Sequence, residues 1–192
     1  MAVTGTNSEN QDMIFKVDSL VINETAVTST AAELNILDGV TATAAEINNA
    51  ADVSGQLVAA GASLALTVAA HSGKIIALNQ ATGSAVTLPA ATGTGARFNI
   101  IVSVTVTSNA HTIDVAGADE FNGVVYQVDT DTSDTVAAYP ALAGDDFDGI
   151  SMNGTTTGGL IGDWFEIVDI ASGVWAIRGF TNASGTVASP IS

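Results

Sequence analysis

Apolar and polar residues alternate most regularly between positions 97 and 107. Phe98, Ile100, Val102, Val104 and Val106 fall on one side, and Asn99, Ser103, Thr105 and Thr107 on the other. Successive side chains of a strand point to opposite faces, so this run predicts a strand with one buried and one wet face. Shorter runs rich in β-formers predict further strands at 13–22, 64–68, 74–78, 85–88, 112–115, 124–128, 150–152, 164–170 and 174–178. Pro89 stops the 85–88 run, and Ser108-Asn109 turns the chain after position 107. The connection Ala171-Ser-Gly173 has glycine last, which fits a hairpin with a G1-type bulge. Short strands at turn-marked intervals predict a mainly β fold, an antiparallel β-sandwich or jelly roll without parallel βαβ units.

The periodicity changes between 27 and 52, where one sentence is written twice. Val27-Thr-Ser-Thr-Ala-Ala-Glu33-Leu34-Asn35 returns thirteen positions later as Val40-Thr-Ala-Thr-Ala-Ala-Glu46-Ile47-Asn48. Each copy holds Thr-x-x-Glu, first Thr30 with Glu33 and then Thr43 with Glu46. That spacing is a capping box, in which the threonine hydroxyl and the glutamate carboxylate satisfy each other's backbone amides. Two helix starts are predicted, and Gly39 supplies a left-handed residue to end the first helix. Helices of about two turns are marginal alone, because nucleation costs more than so few hydrogen bonds return. Their apolar residues (Leu34, Ile36 and Leu37, then Ile47 and Ala50) cannot make a core within one chain. Burial against something else is the expected remedy, by copies of the same segment around a symmetry axis or by a docking surface. The repeat reads as an assembly element, which assigns Thr30, Glu33, Leu34, Leu37, Thr43, Glu46 and Ile47 to oligomerisation.

This tandem run resembles a repeat of bacteriophage virion proteins, notably tail fibres and head decoration or head-fibre proteins. Val86-Thr-Leu-Pro-Ala-Ala-Thr-Gly-Thr-Gly95 and Gly162-Asp-Trp-Phe-Glu-Ile-Val-Asp169, with Trp175 behind it, extend the resemblance more loosely. The second copy departs from the pattern, with Asn49-Ala-Ala-Asp52 where Leu-Leu-Asp-Gly is usual, so the array is expected to end there. The resemblance implies a homotrimer with a β-rich outer domain and no catalytic residues. It places the protein in the virion, on the outer surface of a phage head, after synthesis in the host cytoplasm. The phage major capsid protein is the expected partner. At 192 residues the chain suits a decoration or cement protein better than a fibre, which needs a longer shaft. A short head or tail fibre binding a host receptor is the alternative within the class. A β-sandwich carbohydrate-binding module is the alternative outside it.

The expected organisation is an N-terminal arm and strand at 1–26, the helical repeat at 27–55, the β-domain at 56–183 and a tail at 184–192. Residues 1–11 are polar and aperiodic, and no apolar stretch of a secretory signal follows Met1. The 13–22 run lies outside the main β-region and can add to a neighbour's sheet edge. Met13, Phe15, Val17, Leu20, Val21 and Ile22 are therefore the candidates for capsid attachment. The uncharged run at 53–73 is long enough to span a bilayer, but Ser54, Gln56, Gly61, Ser63, Thr67 and His71 make it too polar, so no membrane partner is expected.

Charge excludes a second class of partner. Twenty acidic residues face four basic ones, Lys16, Lys74, Arg97 and Arg178, for a formal net charge of −16. Nucleic-acid binding neutralises phosphates with lysine and arginine, and this chain has almost none to spend. Cysteine is absent, so disulfides and thiolate metal sites are excluded.

Candidate chemistry is thin, and no cofactor is expected. Asp129, Asp131 and Asp134, and separately Asp145, Asp146 and Asp148, offer carboxylates at spacings a calcium ion can use. In the second cluster Gly144 stands where an EF-hand has its first aspartate, and no glutamate occupies the bidentate position. Acidic surface loops are the plainer reading. Ser72, His111 and Asp114 make a triad only on paper, without a nucleophile elbow, and both histidines read as exposed loop residues. Gly93-Thr-Gly95 reads as a turn, since no lysine accompanies it as in a phosphate loop. Trp164, Phe165 and Trp175 can form a sugar platform, but two tryptophans in one hairpin are expected to pack in a core. A non-enzymatic virion protein is the expectation.

Overall fold

A computed structural model describes residues 20–22, 24–36, 38–44, 47–48, 55–131, 135–142 and 144–192. The chain forms two compact units, Met1–Ile47 and Asn48–Ser192.

In the first unit, β1 (Leu20–Ile22) pairs antiparallel with β2 (Thr25–Val27), Leu20 opposite Val27. The turn between them puts Glu24 at φ 64. The run expected to serve a neighbour thus has its last three residues paired within its own chain, while Met13, Phe15 and Val17 lie outside the described residues. Helix α1 (Ala31–Ile36) follows as the first Thr-x-x-Glu requires. Gly39 stands at φ 83, the left-handed conformation expected after the helix. The second copy begins the same way: Ala44, Ile47 and Asn48 are helical, and the Ile47 amide donates to the Thr43 carbonyl at 3.0 Å.

The second unit is a mainly β, two-sheet structure, as the alternation predicts. Its elements are β3 (Leu57–Ala59), β4 (Ser63–Ala65), α2 (Val68–His71), β5 (Ile75–Leu78), β6 (Ala85–Thr87), β7 (Arg97–Val102), β8 (His111–Asp114), β9 (Glu120–Asp129), β10 (Val136–Ala141), β11 (Gly149–Met152), β12 (Trp164–Ala171) and β13 (Val174–Ala183). One sheet has seven strands in the order β10-β9-β13-β12-β7-β5-β3, and the other has four, β11-β8-β6-β4. Both contribute to a single core. Ile76, Leu78, Phe98, Ile100, Phe165 and Ile177 of the larger sheet share it with Val86, Ile113, Ile150 and Met152 of the smaller.

The expectation of antiparallel pairing needs correction. From β3 to β8 the chain alternates between the sheets, so β3, β5 and β7 lie parallel in one while β4, β6 and β8 lie parallel in the other. The long β9 and β13 are also parallel, and β7-β12-β13, β9-β10 and β8-β11 are antiparallel. Parallel neighbours need no βαβ unit here, because each return runs through the opposite sheet.

Some strand boundaries also differ from expectation. β7 ends at Val102, because the next two amides, of Ser103 and Val104, both turn to the Leu78 carbonyl (3.0 and 3.2 Å). The expected 64–68 strand ends at Ala65, since the Thr67 hydroxyl caps the following helix by accepting from the Ala70 amide. The tail is stitched to the β-unit: Ile191 bridges Ile150, and Gly149 and Ser192 exchange backbone hydrogen bonds. β3 and β10, by contrast, were not signalled at all. The predicted bulge is present, with the β12–β13 register shifting between Asp169 and Ala171 and Gly173 at φ 77.

Candidate functional site

The capping box at Thr30 is complete. Glu33 Oε2 accepts from the Thr30 amide at 2.7 Å and from its hydroxyl at 2.8 Å, while Thr30 Oγ1 accepts from the Glu33 amide at 3.2 Å. The Thr30 amide, and then its hydroxyl, hold the Glu33 carboxyl below the ordinary value of 4.5. Ile36, the last residue of the helix so started, is 75% exposed. Ile47 of the second copy is 39% exposed, and Val40 between them 45%. Leu37 and Glu46 lie outside the described residues, as does Asp134 of the acidic clusters.

A second apolar surface lies on the seven-stranded sheet. Alternation along β13 buries Trp175, Ile177 and Thr181 and turns Ala176, Arg178 and Phe180 outward. Cross-strand register places Tyr126 of β9, Phe180 of β13 and Trp164 of β12 in one row. Tyr126 stacks on Phe180 at 5.7 Å between centroids, and Trp164 stacks on its other side at 6.2 Å. Phe180 is 54% exposed and Tyr126 40%. Beside the row, Glu166 lies between two arginines, 3.4 Å from Arg97 Nε and 4.0 Å from Arg178 Nε.

Two buried carboxylates fix the loops at the ends of β12. Asp169 accepts from the amides of Thr92, Gly93 and Thr94 and from the Thr94 hydroxyl, at 2.7 to 3.2 Å. Burial alone would raise its pKa, but these donors, Thr94 foremost, outweigh burial and hold it below the ordinary 3.8. The Gly93-Thr-Gly95 turn is therefore wrapped around a carboxylate of its own chain. Asp163 ties the Gly159 and Leu160 amides to the amide and side chain of Asn182. There burial dominates and pushes the pKa up, against the hydrogen bonds from Asn182, Gly159 and Leu160.

The remaining sequence candidates do not converge. Asp129 is buried and accepts from the Asp131 amide, while Asp131 accepts from the Gly185 amide. Asp145, Asp146 and Asp148 are exposed, and Asp146 stands at φ 57. Asp146 and Asp148 line an open pocket of about 390 Å³ with Asp119 and Glu120. The latter two already accept from the Ala91 and Gly144 amides. Among the described residues, no three histidine or carboxylate side chains gather as a metal site would need.

The reading of both histidines as exposed fails at His111, which is fully buried. Its Nδ1 accepts from the Ser84 amide at 2.9 Å and its Nε2 faces the Val104 carbonyl at 3.0 Å, so neither nitrogen serves Ser72 or Asp114. Phe165 and Trp175 pack in the core as expected, with Trp175 5.7 Å from Phe98, but Trp164 faces out. The partners of Trp164 in the row, Tyr126 and Phe180, were missed. Phase along each strand could have marked them as outward-facing, but their register across three strands is not written in the sequence.

Comparison with protein-family models, curated proteins and solved structures finds no match. Among the described residues, no helix is long and apolar enough to cross a membrane.

Proposed function

We propose that this chain is a non-enzymatic bacteriophage virion protein, a head decoration or cement protein that acts as a homotrimer. The observation that carries the proposal is the tandem repeat, capped at Thr30, whose two copies expose Ile36 and Ile47 in a single chain. A short helix gains its stability from packing an apolar face, and Ile36 on this one is 75% exposed. Three copies around an axis would cover it. The β1–β2 ribbon makes a similar demand, since an isolated two-stranded hairpin is marginal in water and keeps open edges. Capsid attachment is assigned to Met13, Phe15, Val17, Leu20, Val21 and Ile22. Strand addition to a capsid subunit would supply main-chain hydrogen bonds there.

The deciding experiment adds purified protein, full-length or lacking residues 1–22, to undecorated heads and counts copies by cryo-electron microscopy. Hundreds of full-length copies in trimeric density, and none of the truncated chain, is the expected result. A handful of copies at one vertex would identify a fibre. Full occupancy by the truncated chain would move attachment to the β-unit.

A further inference from the structure

A sheet face that meets water ordinarily carries polar residues at its outward positions. The outer face of the seven-stranded sheet instead carries the Tyr126–Phe180–Trp164 row, with Leu57, Val136 and Ile170 also exposed. Three aromatic side chains stacked in one partly exposed row form the kind of apolar patch that marks an interaction site. Seven strands at ~4.8 Å spacing, with about three outward side chains each, make a face of about 600 Å². Around a three-fold axis each copy divides this face between two neighbours, so each contact covers about 600 Å² in all, and the helical repeat must supply the rest of a specific interface.

Charge selects the occupant. In a chain of net −16, most pairs of faces on two copies repel each other. Here the charges balance. Arg97 and Arg178, half of the chain's basic residues, flank Glu166, and the further acid, Glu120 at the start of β9, is held by the Gly144 amide. A basic partner would find stronger attraction on the acidic surface elsewhere. A copy equally acidic meets least repulsion on this face. A sugar is a poorer fit, because both faces of Phe180, the centre of the row, are taken by Tyr126 and Trp164.

From this we infer that copies of the chain pack through the outer face of the seven-stranded sheet, turned toward a common axis. The inference rests on the homotrimer reading and names its second contact surface. The test is light scattering over a dilution series of the full chain, with Phe180→Glu and Phe180→Leu alongside. Phe180 points away from the core, so thermal melting of the β-unit should not change in either variant. Phe180→Leu should associate like the wild type, whereas Phe180→Glu should raise the dissociation constant at least ~30-fold, the loss of a hot-spot contact. Should Phe180→Glu fail to fold, Tyr126→Glu, at the neighbouring outward position, replaces it with the same expectation.

An associated wild type whose Phe180→Glu variant associates equally well overturns the inference and leaves the trimer standing. A dimeric wild type that Phe180→Glu dissociates keeps the surface and overturns the trimer. A wild type monomeric throughout overturns both. Loss of glycan retention without any change of mass would make the row a ligand platform and overturn the inference as well.

Discussion

Asp169 shows how one side chain organises a loop that sequence inspection reads only as a turn. Its carboxylate receives three amides and a hydroxyl from residues more than seventy positions earlier. Replacing it with alanine leaves those amides without an acceptor and should cost about 3 kcal/mol, read as a shift of the urea midpoint at neutral pH. The pH dependence has a definite sign. A carboxyl held below its unfolded value contributes fully above that value, and the contribution is lost as pH falls through the lower, folded value. Wild-type stability should therefore drop between about pH 5 and pH 2 more steeply than that of Asp169→Ala. Asp163 works in the opposite sense, since its raised pKa lets protonation stabilise the fold as pH falls, and it is present in both proteins. A variant whose acid limb is as steep as the wild type's would refute the assignment. Nothing in the spacing of Gly93, Gly95 and Asp169 announces this contact, because only the folded chain brings the turn to the end of β12.

At the scale of elements, the same division between local and long-range information recurs. The capping box, the bulge at Gly173 and the existence of most strands are local, and the burial of β7 follows the alternation in its sequence except at Ile101, which is apolar at an outward position. β3 reads as linker because three residues are too few to show a period, and β10 is obscured by Ala-Ala and by Pro140. Proline is tolerated there because β10 is an edge strand. Parallel pairing was out of reach, since it depends on which of many similar apolar strands become neighbours. Gly123 marks one such neighbourhood. It lies opposite Ile177 in the parallel β9–β13 pair, and a Cβ there would stand 1.9 Å from the Ile177 carbonyl oxygen. Neither backbone can yield without breaking the ladder, so Gly123→Ala should destabilise by at least ~3 kcal/mol. Gly117 is the control: at φ 63 with open space around it, its alanine variant should lose only ~1 kcal/mol, the conformational cost alone. Equal urea midpoints for the two variants would contradict the close β9–β13 approach.

For the whole molecule, the tension is between apolar surfaces that favour association and a net charge of −16 that opposes it. Ion pairs between copies can contribute little, because four basic residues serve twenty acidic ones. Assembly held by apolar burial against like-charge repulsion responds to salt in the direction opposite to assembly held by salt bridges. Screening shortens the Debye length from ~30 Å at 0.01 M to ~3 Å at 1 M, so repulsion between exposed carboxylates fades while apolar burial persists. The dissociation constant of the proposed trimer, followed by sedimentation, should therefore fall as sodium chloride rises across that range. The β-unit's own melting temperature gives the reference for salt effects within one chain. A trimer that loosens with salt would mean that charge pairs such as Arg178 with a neighbour's glutamate hold it, and the apolar faces would then lose their role in assembly.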